Sequence, residues 1–176
     1  MKKIAFITTL LMLTLGSRAQ SAMDKLFDKY SEQDGFTTVY ISKYMFDMFR
    51  NKEADPKTQD DFARVMNKLT SIRILTTDED STTPVTVDLY KEIMKILPPN
   101  VYKEIMVVKD KDANVRFYAR EVNSKVAELL LVVGGKEGKG STLISIQGDD
   151  IDMNNISKLG SAMHVEGMEN LEKMKK

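Results

Sequence analysis

The amino-acid sequence predicts a single α+β domain, an antiparallel and mostly meander sheet with helices packed on one face. Three observations carry that prediction. In the first half of the chain, apolar residues recur at the helical spacing i, i+3, i+4, i+7, as at Met23, Leu26, Phe27 and Tyr30. After Pro98-Pro99-Asn100 the pattern changes to four strand-like runs joined by short turns, the order expected of a meander. No repeat or linker divides the 176 residues, and 42% apolar content is enough for one core.

Residues 1–19 read as a signal peptide rather than as part of the fold. Lys2 and Lys3 form a basic head, Ile4 to Leu15 an apolar run, and Ser17 and Ala19 supply the small residues that favour cleavage after Ala19. The run is about twelve residues, short of the roughly 20 needed to span a bilayer. Cleavage removes three of the 26 basic groups (Lys2, Lys3 and Arg18) and none of the 26 acidic ones, so the mature chain carries a net charge of −3. The sequence has no Cys, so a lipid anchor at the cleavage point is excluded, and stability must come from packing rather than cross-links. The expected product is exported and soluble, periplasmic or secreted, with its domain over residues 20–163 and a flexible tail over 164–176.

Each element follows from a local pattern. The stripe Met23, Leu26, Phe27, Tyr30 makes a first helix, ended by the Asp34-Gly35 turn. Phe36 to Ile41 is a strand by its β-branched and aromatic content, and Ser42 caps a helix whose apolar face runs through Met45, Met48 and Phe49. Asp55-Pro56 opens another helix, with Phe62, Val65, Met66 and Leu69 as its stripe. Ser71 to Thr77 is a short strand. Thr83-Pro84 repeats the cap-then-proline device before the stripe Tyr90, Ile93, Met94, Leu97. The four later strands are Val101 to Lys109, Asn114 to Val122, Val126 to Val133 and Ser141 to Gln147, with Gly134 to Gly140 as a glycine-rich turn. In the second of these, Val115, Phe117 and Ala119 alternate with Arg116, Tyr118 and Arg120, an inward face and a wet face. Asp152 caps a last short helix bearing Ile156, Leu159 and Met163.

Composition removes whole classes of chemistry. No Cys means no thiol nucleophile, thiolate metal site or iron–sulfur cluster, and a single His excludes sites that need two imidazoles. A charge balance near zero gives no footprint for nucleic acid or an anionic membrane. The segment Gly135 to Thr142 has the outline of a phosphate loop, but Ser141 stands where the lysine is required and a strand follows instead of a helix. Counted from Asp150, a calcium loop needs Gly and Glu where the chain has Asn155 and Ser161, so Asp149, Asp150 and Asp152 read as helix-capping acids. Asp78-Glu79-Asp80 reads as a solvated loop, and His164 lies in the tail without a fixed carboxylate. No cofactor, metal or catalytic constellation is implied.

Two surfaces and one triplet remain. Tyr44-Met45-Phe46-Asp47-Met48-Phe49 is large and apolar at five of six positions, so a one-sided helix would leave Tyr44 and Phe46 outside. Core packing on a second side explains them, and a partner or ligand surface is the alternative. Arg116, Tyr118 and Arg120 share one strand face, fit either to pair with Glu104 across the hairpin or to meet an anionic ligand. Asp80-Ser81-Thr82 resembles the acceptor triplet of an O-glycosylation system of exported Bacteroidetes proteins, which makes Ser81 a candidate modification site.

The chain as a set of motifs resembles a known family. Asp34-Gly35-Phe36-Thr37-Thr38-Val39-Tyr40-Ile41-Ser42, Val115-Arg116-Phe117-Tyr118-Ala119-Arg120-Glu121, Glu128-Leu129-Leu130-Leu131 and the closing Ile144 to Asp152 and Ile156 to Leu159 are similar to the small exported Bacteroidetes proteins grouped as domain of unknown function 4252. The likeness runs over Met23 to Met163. Many members look like lipoproteins, from which this chain departs by lacking the anchor Cys. The family brings no established active site, and its genes are often near extracytoplasmic sigma-factor systems, so the resemblance implies a link to envelope stress signalling. The expected function is therefore a non-catalytic envelope module that binds another envelope protein or a small ligand. A periplasmic hydrolase using a Ser–Lys or carboxylate pair, and a carrier of a small apolar ligand, are the alternatives.

Overall fold

A computed structural model describes residues 22–48, 66–78, 85–109, 111, 113–135 and 140–152. Nine elements follow in order: α1 (Ala22–Tyr30), β1 (Phe36–Ser42), α2 (Lys43–Met48), β2 (Leu69–Thr77), α3 (Leu89–Ile96), β3 (Tyr102–Lys109), β4 (Ala113–Val122), β5 (Lys125–Gly135) and β6 (Thr142–Gly148). The strands form one antiparallel six-stranded sheet in the order β1-β2-β6-β5-β4-β3. The α+β class and the meander β3–β6 are as the sequence predicts. β1 and β2 complete the sheet by adding to β6, the last strand.

Both faces of the sheet are buried, because β5 is apolar on both. Leu130 and Val132 point into a cluster with Leu75 and Leu143, which α1 covers with Met23, Leu26, Phe27 and Tyr30 and α3 with Leu89 and Ile93. Leu129 and Leu131 point the other way, into a cluster with Ile72, Phe117, Ile144, Ile146 and Phe46 of α2. The helices expected on one face are α1 and α3, while α2 adds its phenylalanine to the opposite face. The two covering helices are tied together at Glu92, which accepts hydrogen bonds from the Tyr30 hydroxyl and, at 2.7 Å, from Lys29 Nζ. That contact pushes the Lys29 ammonium up to about 12. Burial opposes ionisation of Glu92, but the two donors hold its carboxyl below the ordinary value.

Several local boundaries differ from the sequence expectation. In α2 the buried residue is Phe46, whereas Met45 and Met48 are exposed, so the helix is turned relative to the expected face; Phe49 lies outside the described residues. The six-residue helix starts directly at the end of β1, and the pairing of Ser42 with Ser71 fixes which side meets the sheet. Leu69 opens β2 rather than closing a helix, because its side chain is needed in the core; residues 66–68 before it are helical, and the rest of the helix expected from Asp55-Pro56 lies outside the described residues. α3 begins at Leu89, capped by Asp88, whose side chain accepts from the Lys91 N–H at 3.0 Å, and residues 85–88 before it are not helical. Gly134 and Gly135 belong to β5, and an added Cβ at Gly134 would come within 2.6 Å of the Tyr90 ring. Glycine is there because α3 lies against the strand. The face of Arg116, Tyr118 and Arg120 is not wet either: Tyr118 is buried beneath α3.

Ser81, His164, the leader and the tail lie outside the described residues, as does the helix expected after Asp152. Among the described residues, no helix is long and apolar enough to cross a membrane.

Candidate functional site

The periodicity that buries Met23, Leu26, Phe27 and Tyr30 leaves Asp24, Asp28 and then Ser31 along the flank of α1 that looks over the β1 edge. Alternation in β1 places Thr38 and Tyr40 on the sheet face beneath, and the register sets Tyr40 opposite Arg73 of β2. Phe27, Asp28, Ser31, Thr38, Val39, Tyr40 and Arg73 line an open groove of about 270 Å³.

Arg73 organises this groove. Its guanidinium carbon lies 5.7 Å from the centre of the Phe27 ring and 5.2 Å from that of Tyr40, and Nη1 donates to Asp24 Oδ1 at 3.0 Å. Stacking between two rings and one carboxylate fixes the fork while leaving further N–H donors unused by Asp24. The Thr38 hydroxyl oxygen is buried and has no hydrogen-bond partner among the described residues. The Tyr40 ring is 61% exposed at the rim. The groove thus offers aromatic walls, a guanidinium and an unsatisfied hydroxyl, a combination suited to an apolar body with a polar tip. Among the described residues that line it are one carboxylate, Asp28, and neither a lysine nor a second acid.

The residues singled out from the sequence fall elsewhere. Phe46 is 4% exposed and packs in the core, so it is not a surface residue. Tyr44 is 74% exposed and, with Met45 and Met48, forms an apolar outer side of α2. Arg116 pairs with Glu104 across the β3–β4 hairpin at 2.5 Å and also donates to the Tyr90 hydroxyl at 2.9 Å. The bond to Tyr90, with that to Glu104, raises the guanidinium above its ordinary value. Tyr118 donates to Glu104 at 3.0 Å, and burial is the main reason its phenol titrates high. Cross-strand pairing therefore occupies Arg116 and Tyr118.

Arg120 serves a different group. Its Nε donates at 2.9 Å to Glu128, whose side chain has 0% exposure. The same carboxylate accepts from the Tyr102 hydroxyl at 2.9 Å and from Ser145 Oγ at 2.8 Å, with Gln147 Nε2 at 3.4 Å. Ser71 Oγ extends the chain to Gln147 Oε1 at 3.3 Å. Burial, reinforced by Glu128, drives the Tyr102 phenol well above its normal range. Burial works against the Arg120 charge, but its bond to Glu128 more than compensates. This is a polar seam inside the sheet, satisfied by its own members.

At the acidic segment, Asp150 takes a left-handed backbone (φ 60°) and lies 3.8 Å from Lys68 Nζ and 3.7 Å from Lys125 Nζ. Among the described residues, no three metal-ligating His, Cys, Asp or Glu side chains gather.

A family model described as "Domain of unknown function (DUF4252)" matches residues 30–159, which take in all six strands, α2 and α3. The chain belongs to the DUF4252 family. Neither a curated protein nor a solved structure matches it. The DUF4252 match starts at Tyr30, so of the groove it includes the β1 and β2 walls and Ser31, while Phe27 and Asp28 of α1 precede it.

Sequence reasoning passed over Phe27, Thr38, Tyr40 and Arg73 because they meet only through the β1–β2 register and the docking of α1. One signal was present. Arg73 is the lone charge in Leu69-Thr70-Ser71-Ile72-Arg73-Ile74-Leu75-Thr76-Thr77, and a cation inside such a strand needs a partner on its face.

Proposed function

We propose that this protein is a non-catalytic binding module, exported to the envelope of a bacterium of the Bacteroidetes type. In this reading the α1–β1–β2 groove receives a segment of another envelope protein. The observation that carries it is Arg73 held between Phe27 and Tyr40 beside the unpartnered Thr38 hydroxyl, in a groove open to solvent along the sheet edge. A partner segment laying an apolar side chain against the exposed Tyr40 ring, with a carboxyl or carbonyl tip toward Arg73 and Thr38, satisfies each of these groups. The signal-peptide pattern of residues 1–19 supports export, and the resemblance supports a place in envelope stress signalling.

The groove favours binding over the alternatives. A hydrolase of the kinds considered needs Ser with Lys, or two carboxylates, in reach of one substrate, and the described lining residues include one acid and no lysine. A carrier for an apolar molecule needs an enclosed cavity, whereas this groove is open. Ser81 is proposed as a glycosylated residue, for which an intact mass above that of the processed polypeptide is the expected result.

The test is a photo-reactive residue at position 40 in cells making the protein at native level. A crosslink to one envelope protein, lost in Arg73→Ala while the melting curve is retained, is the expected outcome. N-terminal sequencing of the same material should begin at Gln20. Absence of any Arg73-dependent crosslink, or material retaining the leader in the cytosol, refutes the corresponding part of the reading.

A further inference from the structure

The two edges of the sheet are built differently. β3 carries Lys103, Glu104 and Lys109 and is broken by a register shift between Glu104 and Met106, both devices that discourage another strand from adding on. β1 has neither device. Phe36-Thr37-Thr38-Val39-Tyr40-Ile41-Ser42 contains no charge and no proline, and pairs with β2 over all seven residues without a shift.

The hydrogen-bonding phase of this edge is determined. The Asp78 N–H donates to the Gly35 carbonyl at 2.8 Å, so Gly35, Thr37, Val39 and Ile41 turn their backbone groups toward β2. By antiparallel alternation, Phe36, Thr38, Tyr40 and Ser42 turn theirs outward. No strand among the described residues pairs with them.

We propose that this edge pairs with the same edge of a second copy, antiparallel about a two-fold axis through Val39, joining two sheets into one. The register favours a second copy over a foreign strand. With Val39 opposite Val39 as a non-hydrogen-bonded pair, Tyr40 falls opposite the partner copy's Thr38, and these are residues whose backbone groups face outward to exchange both bonds. The exposed Tyr40 side chain then lies beside the Thr38 hydroxyl that has no partner among the described residues. Charge complements the fit. Asp34 and Lys43 stand exposed at opposite ends of β1, neither in an ion pair among the described residues, and the two-fold sets Lys43 opposite Gly35, next to Asp34, at both ends. An isologous contact satisfies each of these groups twice.

Sedimentation velocity of the purified protein across micromolar concentrations tests this. The expected result is a monomer–dimer equilibrium that Val39→Lys, at a 40% exposed position, shifts to monomer by placing two ammonium groups together on the axis. Lys43→Asp should weaken the dimer about tenfold by turning both end contacts repulsive, and Lys43→Asp with Asp34→Lys should restore it. The charge pair keeps the test valid if Val39→Lys lowers the melting temperature. A protein monomeric throughout, or a dimer indifferent to Val39→Lys and to the charge reversal, overturns the proposal. The two readings share Thr38 and Tyr40 but are told apart by Arg73→Ala, which leaves the strand edge and both charges in place and so spares the dimer while removing the groove's guanidinium.

Discussion

Glu128 has no exposed surface, and Tyr102, Arg120 and Ser145 all aim donors at its carboxylate. Truncation removes the acceptor and leaves those donors inside the sheet, where unmet polar groups are expensive. Glu128→Ala is expected to cost about 3 kcal/mol in urea unfolding, with Glu128→Gln, which keeps an acceptor of the same shape, costing clearly less. Equal losses in the two variants would show that the site requires the carboxylate's charge and both of its acceptor oxygens, not an acceptor of the same shape. Gly134 is a second residue whose role is steric. Gly134→Ala places a methyl group 2.6 Å from the Tyr90 ring, which must then move and stretch its bond to Arg116. A loss of about 2 kcal/mol is expected, relieved in part by Tyr90→Ala, a coupling a double-mutant cycle measures.

At the scale of elements, α3 and the β4–β5 hairpin give the sharpest expectations. Asp88 is held below the ordinary carboxylate value chiefly by the Lys91 backbone N–H, and Glu92 by its bonds from Lys29 and Tyr30, which outweigh its burial. Groups lowered in the folded state stabilise fully above their unfolded values and lose that contribution as pH falls through the folded ones. The melting temperature should therefore drop below about pH 4, and Asp88→Ala should cost about 1 kcal/mol at neutral pH while flattening that acid limb. In the hairpin, Asn123 and Ser124 both take positive φ, 52° and 61°, the geometry of a two-residue turn that favours Asn followed by Gly. Ser124→Gly is expected to stabilise by about 1 kcal/mol, read as a rise in melting temperature. α2 illustrates where element-level reading fails. Its sequence is apolar nearly all round, so the periodicity that assigns the inner face to Met45 and Met48 has a weak basis; attachment to β1 buries Phe46 instead.

At the scale of the whole molecule, the sheet order decides what can be a site. Adding β2 to β6 brings Arg73 under α1 and leaves β1 at an edge. The short-range part was legible in the sequence: the strands, the stripe of α1, the α+β class and the pairing of Arg116 with Glu104 each depend on spacing within a few residues or across one hairpin. The expectation of a signal peptide over residues 1–19 is a reading of the same local kind. What only the tertiary structure decided is non-local: the burial of both sheet faces, the Glu128 seam, the groove and the β1 edge, which no strand among the described residues covers. These arise where segments far apart in the chain meet, and side-chain periodicity reports which face of a strand is apolar but not which strand lies beside it.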